Sequence, residues 1–134
     1  SSVGKFKMAF TSSTNTATMV STVITDTNAD LTINQVATQA QNLYFVEITN
    51  PNASSSAYVK IFAAASGVTL DTQHLMQFYC PPGTTCYMYM KEPIAIANGL
   101  AFYCSSTRGL NNTQTNPQSA PSKAVTVKMG ISNQ

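Results

Sequence analysis

Apolar residues recur at every second position in short bursts along this chain, the spacing of strands with one buried face. Residues 3–10 set Phe6, Met8 and Phe10 on one side and Lys5, Lys7 and Ala9 on the other. Residues 124–131 bring Val125, Val127, Met129 and Ile131 together, and residues 86–90 place Cys86, Met88 and Met90 opposite Tyr87 and Tyr89. Between these, residues 17–25 mix Met19, Val20, Val23 and Ile24 with threonines, which favour strands. Leu31 and Ile33 open another short strand, and residues 36–41 fit a helical turn or a loop. Residues 43–49 are nearly continuously apolar and aromatic, as in a central strand. Residues 57–62 follow as its expected hairpin partner. A strand at 75–80 comes next, and residues 93–97 and 100–104 are expected to form a hairpin or a bulged strand about Asn98-Gly99.

Turn residues punctuate the pattern at Asp26-Thr27-Asn28-Ala29-Asp30, Asn50-Pro51-Asn52 and Pro81-Pro82-Gly83. Eight or nine short strands without an amphipathic helix predict an all-β, antiparallel β-sandwich, with a jelly roll among the arrangements open to it. The length of 134 residues fits one domain. Residues 1–10 suit an extended amino-terminal arm, and residues 105–123 form a long polar loop expected to be mobile.

Composition changes this picture in one respect. Only 9% of residues are charged, while there are 18 threonines, 14 serines, 11 asparagines and 8 glutamines. Such a polar but weakly charged surface suits an assembly or an extracellular setting better than a crowded cytosol. The net charge of +2 comes from scattered Lys5, Lys7, Lys60, Lys91, Arg108, Lys123 and Lys128, and no basic cluster marks a nucleic-acid partner. No segment reaches the ~18–20 apolar residues of a membrane span. The first residues lack the apolar core of a signal peptide, so either the protein is used without secretion or a processed segment is missing from the sequence. The sequons at Asn52 and Asn111 read as accidents of a chain rich in Asn, Ser and Thr.

The chemistry of enzymes is sparse. His74 is the single histidine, with no nucleophile motif near it. The carboxylates Asp26, Asp30, Glu47, Asp71 and Glu92 show no pairing of the kind glycoside hydrolysis needs. Asp26-Thr27-Asn28-Ala29-Asp30 imitates the start of a calcium loop, but Leu31 and Ala37 occupy the positions of the required glycine and glutamate. Cys80, Cys86 and Cys104 with one distant histidine do not make a zinc set, and buried thiols are expected, with a Cys80–Cys86 bridge as the alternative. Neither catalytic residues nor a cofactor or metal is assigned. The six tyrosines suit sandwich packing, a subunit interface or a sugar-stacking platform.

The block from residue 43 to residue 131 carries a resemblance. Residues 43–50, the turn Asn50-Pro51-Asn52-Ala53 and Tyr58-Val59-Lys60-Ile61-Phe62 resemble a pattern in small structural proteins of tailed bacteriophages. Pro81-Pro82-Gly83, Gly99-Leu100-Ala101 and the alternating strand at 125–131 continue the likeness in order, whereas residues 1–42 match nothing known. Some members of that kind resemble capsid decoration or cement proteins. The resemblance implies a non-enzymatic virion protein on the capsid surface, made in the host bacterial cytoplasm. Its expected partners are the major capsid protein and copies of itself, as a trimer on a local threefold. Phe6, Met8, Phe10, Tyr87, Tyr89 and Arg108 are the candidate contact residues. A tail, connector or fibre station and a carbohydrate-binding adhesin module are the alternatives.

Overall fold

The computed structural model describes residues 20–109 and 117–134. Among these are eight strands and no helix: β1 Thr22–Ala29, β2 Asn34–Ala37, β3 Gln41–Asn50, β4 Ala57–Phe62, β5 Met76–Cys80, β6 Thr84–Ile96, β7 Leu100–Ser105 and β8 Val125–Asn133. They form two four-stranded sheets, β1-β8-β3-β6 (sheet A) and β2-β7-β4-β5 (sheet B), with every pairing antiparallel. Only β4 and β5 are successive strands in one sheet; every other connection crosses the sandwich. That order is a jelly roll, two Greek keys wound into facing sheets.

The topology corrects four local expectations. β3 and β4 are not a hairpin, nor are β6 and β7, since the members of each pair lie in opposite sheets. Asp26–Ala29 is not a free turn, because β1 runs on to Ala29 with an irregularity between Asp26 and Ala29 that takes up an extra residue against β8. Pairing with β8 there overrides the turn preference of Asp and Asn. Their side chains still make local turns: Asn28 N donates to Asp26 Oδ1 at 3.0 Å and Thr32 N to Asp30 Oδ1 at 2.9 Å. Residues 36–41 contain the end of β2 and the start of β3, and neither a helical turn nor a simple loop spans them.

The sandwich core holds the alternating residues the pattern marked. Leu43, Val46 and Ile48 of β3 meet Ile131, Met129 and Val127 of β8, and all are buried. Val59 and Ile61 of β4 and Leu100, Phe102 and Cys104 of β7 close the core from sheet B. In β3 the register shifts between Leu43 and Phe45, so that one inward position follows another after three residues. This bulge turns Tyr44 and Phe45 outward together. Phe45 lies on Gly130 of β8, where any Cβ would stand 2.2 Å from the ring. A second, smaller core lies on the far side of sheet B. Phe62, Ala101 and Tyr103 are buried there under Leu31, Ile33, Val68 and Leu70, with the Phe62 and Tyr103 rings stacked 5.6 Å apart. Residues 63–75 thus cover part of what would otherwise be an open sheet face.

One end of the sandwich is tied by two buried asparagines. The two hydrogens of Asn50 Nδ2 are shared among the carbonyls of Ser55, Cys80 and Pro81, at 2.9, 3.2 and 3.2 Å. Its Oδ1 accepts from the backbone and side-chain nitrogens of Asn52. Asn52 Oδ1 in turn accepts from Ser122 Oγ and Lys123 N. Three loops distant in sequence are held by two side chains. The described ends of the long polar segment are also anchored: Ser106 N donates to Ser119 O at 2.8 Å, and Gln118 is buried.

All three cysteines are free thiols. Cys80 and Cys104 are buried, and burial pushes each thiol up to about 12. At pH 8, iodoacetamide should therefore alkylate at most one thiol of the native protein, Cys86, and all three in urea. Mass spectrometry counts the adducts, and rapid modification of two native thiols would contradict this packing.

Candidate functional site

Two surfaces on opposite sides of the sandwich gather the chemistry of this chain. On the outer face of sheet A, strand alternation points Tyr87 and Tyr89 of β6 away from the core, while Cys86, Met88 and Met90 point inward. Tyr87 and Tyr89 are 61% and 64% exposed, and their rings stack nearly parallel at 6.3 Å. Phe45, set outward by the β3 bulge, extends the group, 5.5 Å from Tyr89. The Tyr89 hydroxyl donates to Glu47 Oε2, and that bond holds the phenol above its ordinary value. Lys128 stands opposite Glu47 on β8. β6 is also an edge strand of 13 residues whose second edge is unpaired among the described residues. Pro93, Lys91 and Glu92 blunt one end of it, and Thr84–Met90 carries no such guard.

On the outer face of sheet B, Tyr58, Gln77, Tyr79 and Arg108 line a cavity of about 400 Å³. Tyr58 and Tyr79 are cross-strand partners with centroids 5.5 Å apart. Lys60, two residues further along β4, faces Gln77 and is completely buried. Its ammonium donates to the carbonyl of Gly109, next to Arg108. Burial pushes the Lys60 pKa down to about 8. Half-buried His74 lies close enough that desolvation and then the Lys60 charge hold its pKa below normal. The fold of residues 63–75 draws His74 partly into the protein.

A buried ammonium predicts a pH-dependent stability. Unfolded Lys60 keeps its proton up to 10.5 and folded Lys60 releases it at about 8, so the unfolded chain binds the extra proton between those values. This group therefore destabilises the fold below pH 8, and the penalty fades as pH rises towards 10.5. The carbonyl of Gly109, which accepts from the ammonium, offsets part of the cost, and the penalty is about 1–2 kcal/mol. Lys60→Met should exceed wild type by about that amount at pH 7 and lose the advantage at pH 10. Cys80, Cys104 and Tyr103, whose pKa values burial raises, act in the opposite direction. They act equally in both proteins and cancel in the difference. Urea unfolding of the pair at the two pH values checks this, and a difference that does not move with pH would refute it.

Of the candidate contact residues, Tyr87 and Tyr89 come together, whereas Arg108 lies across the sandwich on sheet B. Phe6, Met8 and Phe10 lie outside the described residues. Sequence reasoning missed the sheet B group, although the alternation of Tyr58 with Lys60 and of Gln77 with Tyr79 marked each pair as sharing a face. Among the described residues, no group of three or more His, Cys, Asp or Glu side chains could hold a metal ion. Asp26 and Asp30 are instead engaged by Asn28, Asn34 and Thr32. Comparison with known proteins finds no matching family model, curated relative or solved structure.

Proposed function

We propose that this protein is a non-enzymatic structural component of a bacteriophage virion, a capsid cement subunit that binds the outer capsid surface and copies of itself. The stacked, exposed Tyr87–Tyr89 pair beside the unguarded stretch of β6 carries the reading. Tyrosine is enriched in the buried centre of protein interfaces, and an unpaired strand edge accepts an incoming strand through its main chain. The low charge of the chain supports close approach of repeated subunits without mutual repulsion. The jelly roll is a frame that viral capsid proteins also use, an analogy of fold that agrees with this reading.

The first test is the copy number of this protein against the major capsid protein in purified virions. Near-stoichiometric abundance is the expected result. A few copies per particle would move it to a tail, connector or fibre station, and absence would overturn the reading. Where the protein is abundant, Tyr87→Ala/Tyr89→Ala should weaken its rebinding to stripped capsids at least about tenfold, the loss of one or two interface anchors.

A further inference from the structure

The pocket on the outer face of sheet B belongs to neither the sandwich core nor the tyrosine face of sheet A. It sits beyond the end of the second core, where the cover supplied by residues 63–75 gives way to Tyr58 and Tyr79. Its volume of about 400 Å³ falls within the 300–1,000 Å³ of small-molecule sites. Two aromatic faces, a guanidinium and a carboxamide line it. The Gln77 carboxamide makes no hydrogen bond among the described residues, and its Oε1 is buried without a partner. His74 Nδ1, two residues before β5, is likewise buried and unpartnered. Buried polar atoms in this state are uncommon and call for a partner. Among the described residues, the charged side chain that lines the pocket is cationic, and so is the one buried beside it. Lys60 is buried beside the site with only a carbonyl as acceptor, and Arg108 stands at the rim.

We infer that this pocket binds an acidic saccharide, with the sugar ring against Tyr58 and Tyr79, its carboxylate towards Arg108 and a hydroxyl towards Gln77. Each assignment follows from chemistry. Tyrosine rings offer flat apolar faces that suit the C–H surface of a pyranose, with a polar tip that stays wet. A guanidinium matches a carboxylate through two parallel hydrogen bonds. A carboxamide both accepts from and donates to sugar hydroxyls. The buried Lys60 ammonium adds positive potential without occupying the site, and it disfavours a cationic ligand. A neutral sugar would leave that potential unused. This inference does not depend on the virion reading, because the pocket and the Tyr87–Tyr89 face lie on opposite sheets.

The test is a titration of the isotope-labelled protein, followed by backbone amide shifts. The probes are glucuronic acid and N-acetylneuraminic acid, with glucose and N-acetylglucosamine as neutral counterparts. Binding at the millimolar level is expected for single sugars, with shifts centred on Tyr58, Gln77, Tyr79 and Arg108 and at least about tenfold preference for the acids. Tyr79 and Arg108 are exposed, so changing them spares the core. Tyr79→Ala should weaken binding about tenfold, and Arg108→Gln should abolish the preference for acids over neutral sugars. Tyr87→Ala, on the other sheet, should change neither. The proposal is overturned if no shifts appear at these residues up to about 20 mM of either acid. Equal affinity for acidic and neutral sugars, or an acid preference that survives Arg108→Gln, overturns it as well.

Discussion

Asn50→Asp is expected to destabilise the protein by at least about 4 kcal/mol at pH 7, a large part of the ~5–15 kcal/mol that holds a domain folded. The substitution changes almost no volume. It replaces Nδ2, which donates to the carbonyls of Ser55, Cys80 and Pro81, with an oxygen that donates to none of them. Oδ1 must keep its place, because Asn52 donates to it from both backbone and side chain, so the group cannot escape by flipping. Three carbonyl dipoles would then face a buried negative charge. Each lost hydrogen bond contributes about 1 kcal/mol and the uncompensated charge about 3–5 kcal/mol, with overlap between the two costs. The sign of the pH dependence is fixed by the same geometry. Burial against carbonyls raises the folded-state pKa of the new carboxyl above its unfolded value near 4, so the folded variant binds the extra proton. The deficit should shrink as pH falls through that raised value, since a protonated carboxyl can donate to one carbonyl. Urea unfolding of variant and wild type at pH 7 and pH 4.5 measures both effects. A loss below about 1 kcal/mol at pH 7 would mean that the three loops are not joined through this side chain.

Gly99→Ala carries the second large effect, about 3 kcal/mol. Gly99 follows Asn98, whose φ of 72° and the 2.8 Å bond from Gly99 N to Ala97 O make a γ-turn between β6 and β7. The turn brings Gly99 against backbone: a Cβ would stand 2.5 Å from Ala64 O and 2.7 Å from Ala65 Cα. Backbone cannot rotate aside as a side chain does. Ala64 O is moreover held by Gln35 Nε2 at 2.8 Å, and the same nitrogen reaches Ala37 O and Leu100 O. Making room for one methyl group therefore pulls at the joint where β2, β7 and the chain after β4 meet. Gly67→Ala is the control. Gly67 has φ 78° and nothing within 4 Å of a Cβ, so its cost is the left-handed conformation alone, about 1 kcal/mol. Equal losses at the two positions in thermal or urea unfolding would refute the close approach at Gly99.

The sequence by itself determined most of the strands and, where the alternation is clean, which side chains share a face. The alternation at 125–131 and 86–90 put the correct residues inward, since side chains of a strand point to opposite sides in turn and one side must be dry. Pro93, taken as the start of a new strand, proved to sit within β6, where an edge strand tolerates a residue that cannot donate to a ladder. What the sequence could not determine was which strand lies beside which. Asn50-Pro51-Asn52 and Asn98-Gly99 announce a reversal of the chain, and a reversal serves equally for a hairpin in one sheet and for an arch to the other. The choice is made by burial over the whole chain: each strand's apolar face must meet another, and the jelly-roll order satisfies all eight at once.

The same limit applied to the candidate site. That Tyr87 and Tyr89 share a face opposite Cys86, Met88 and Met90 was legible from strand alternation, whereas their exposure was settled by the tertiary structure. The fate of Lys60 was not legible, because a lysine on an outward position reads as solvated. Only the packing of residues 63–75 and the chain at Gly109 over sheet B buries it and sets Arg108 beside Tyr58 and Tyr79. Local period decides which way a side chain points. Whether that direction ends in water, in a second core or in a pocket is decided by segments tens of residues away, through contacts that no local pattern records.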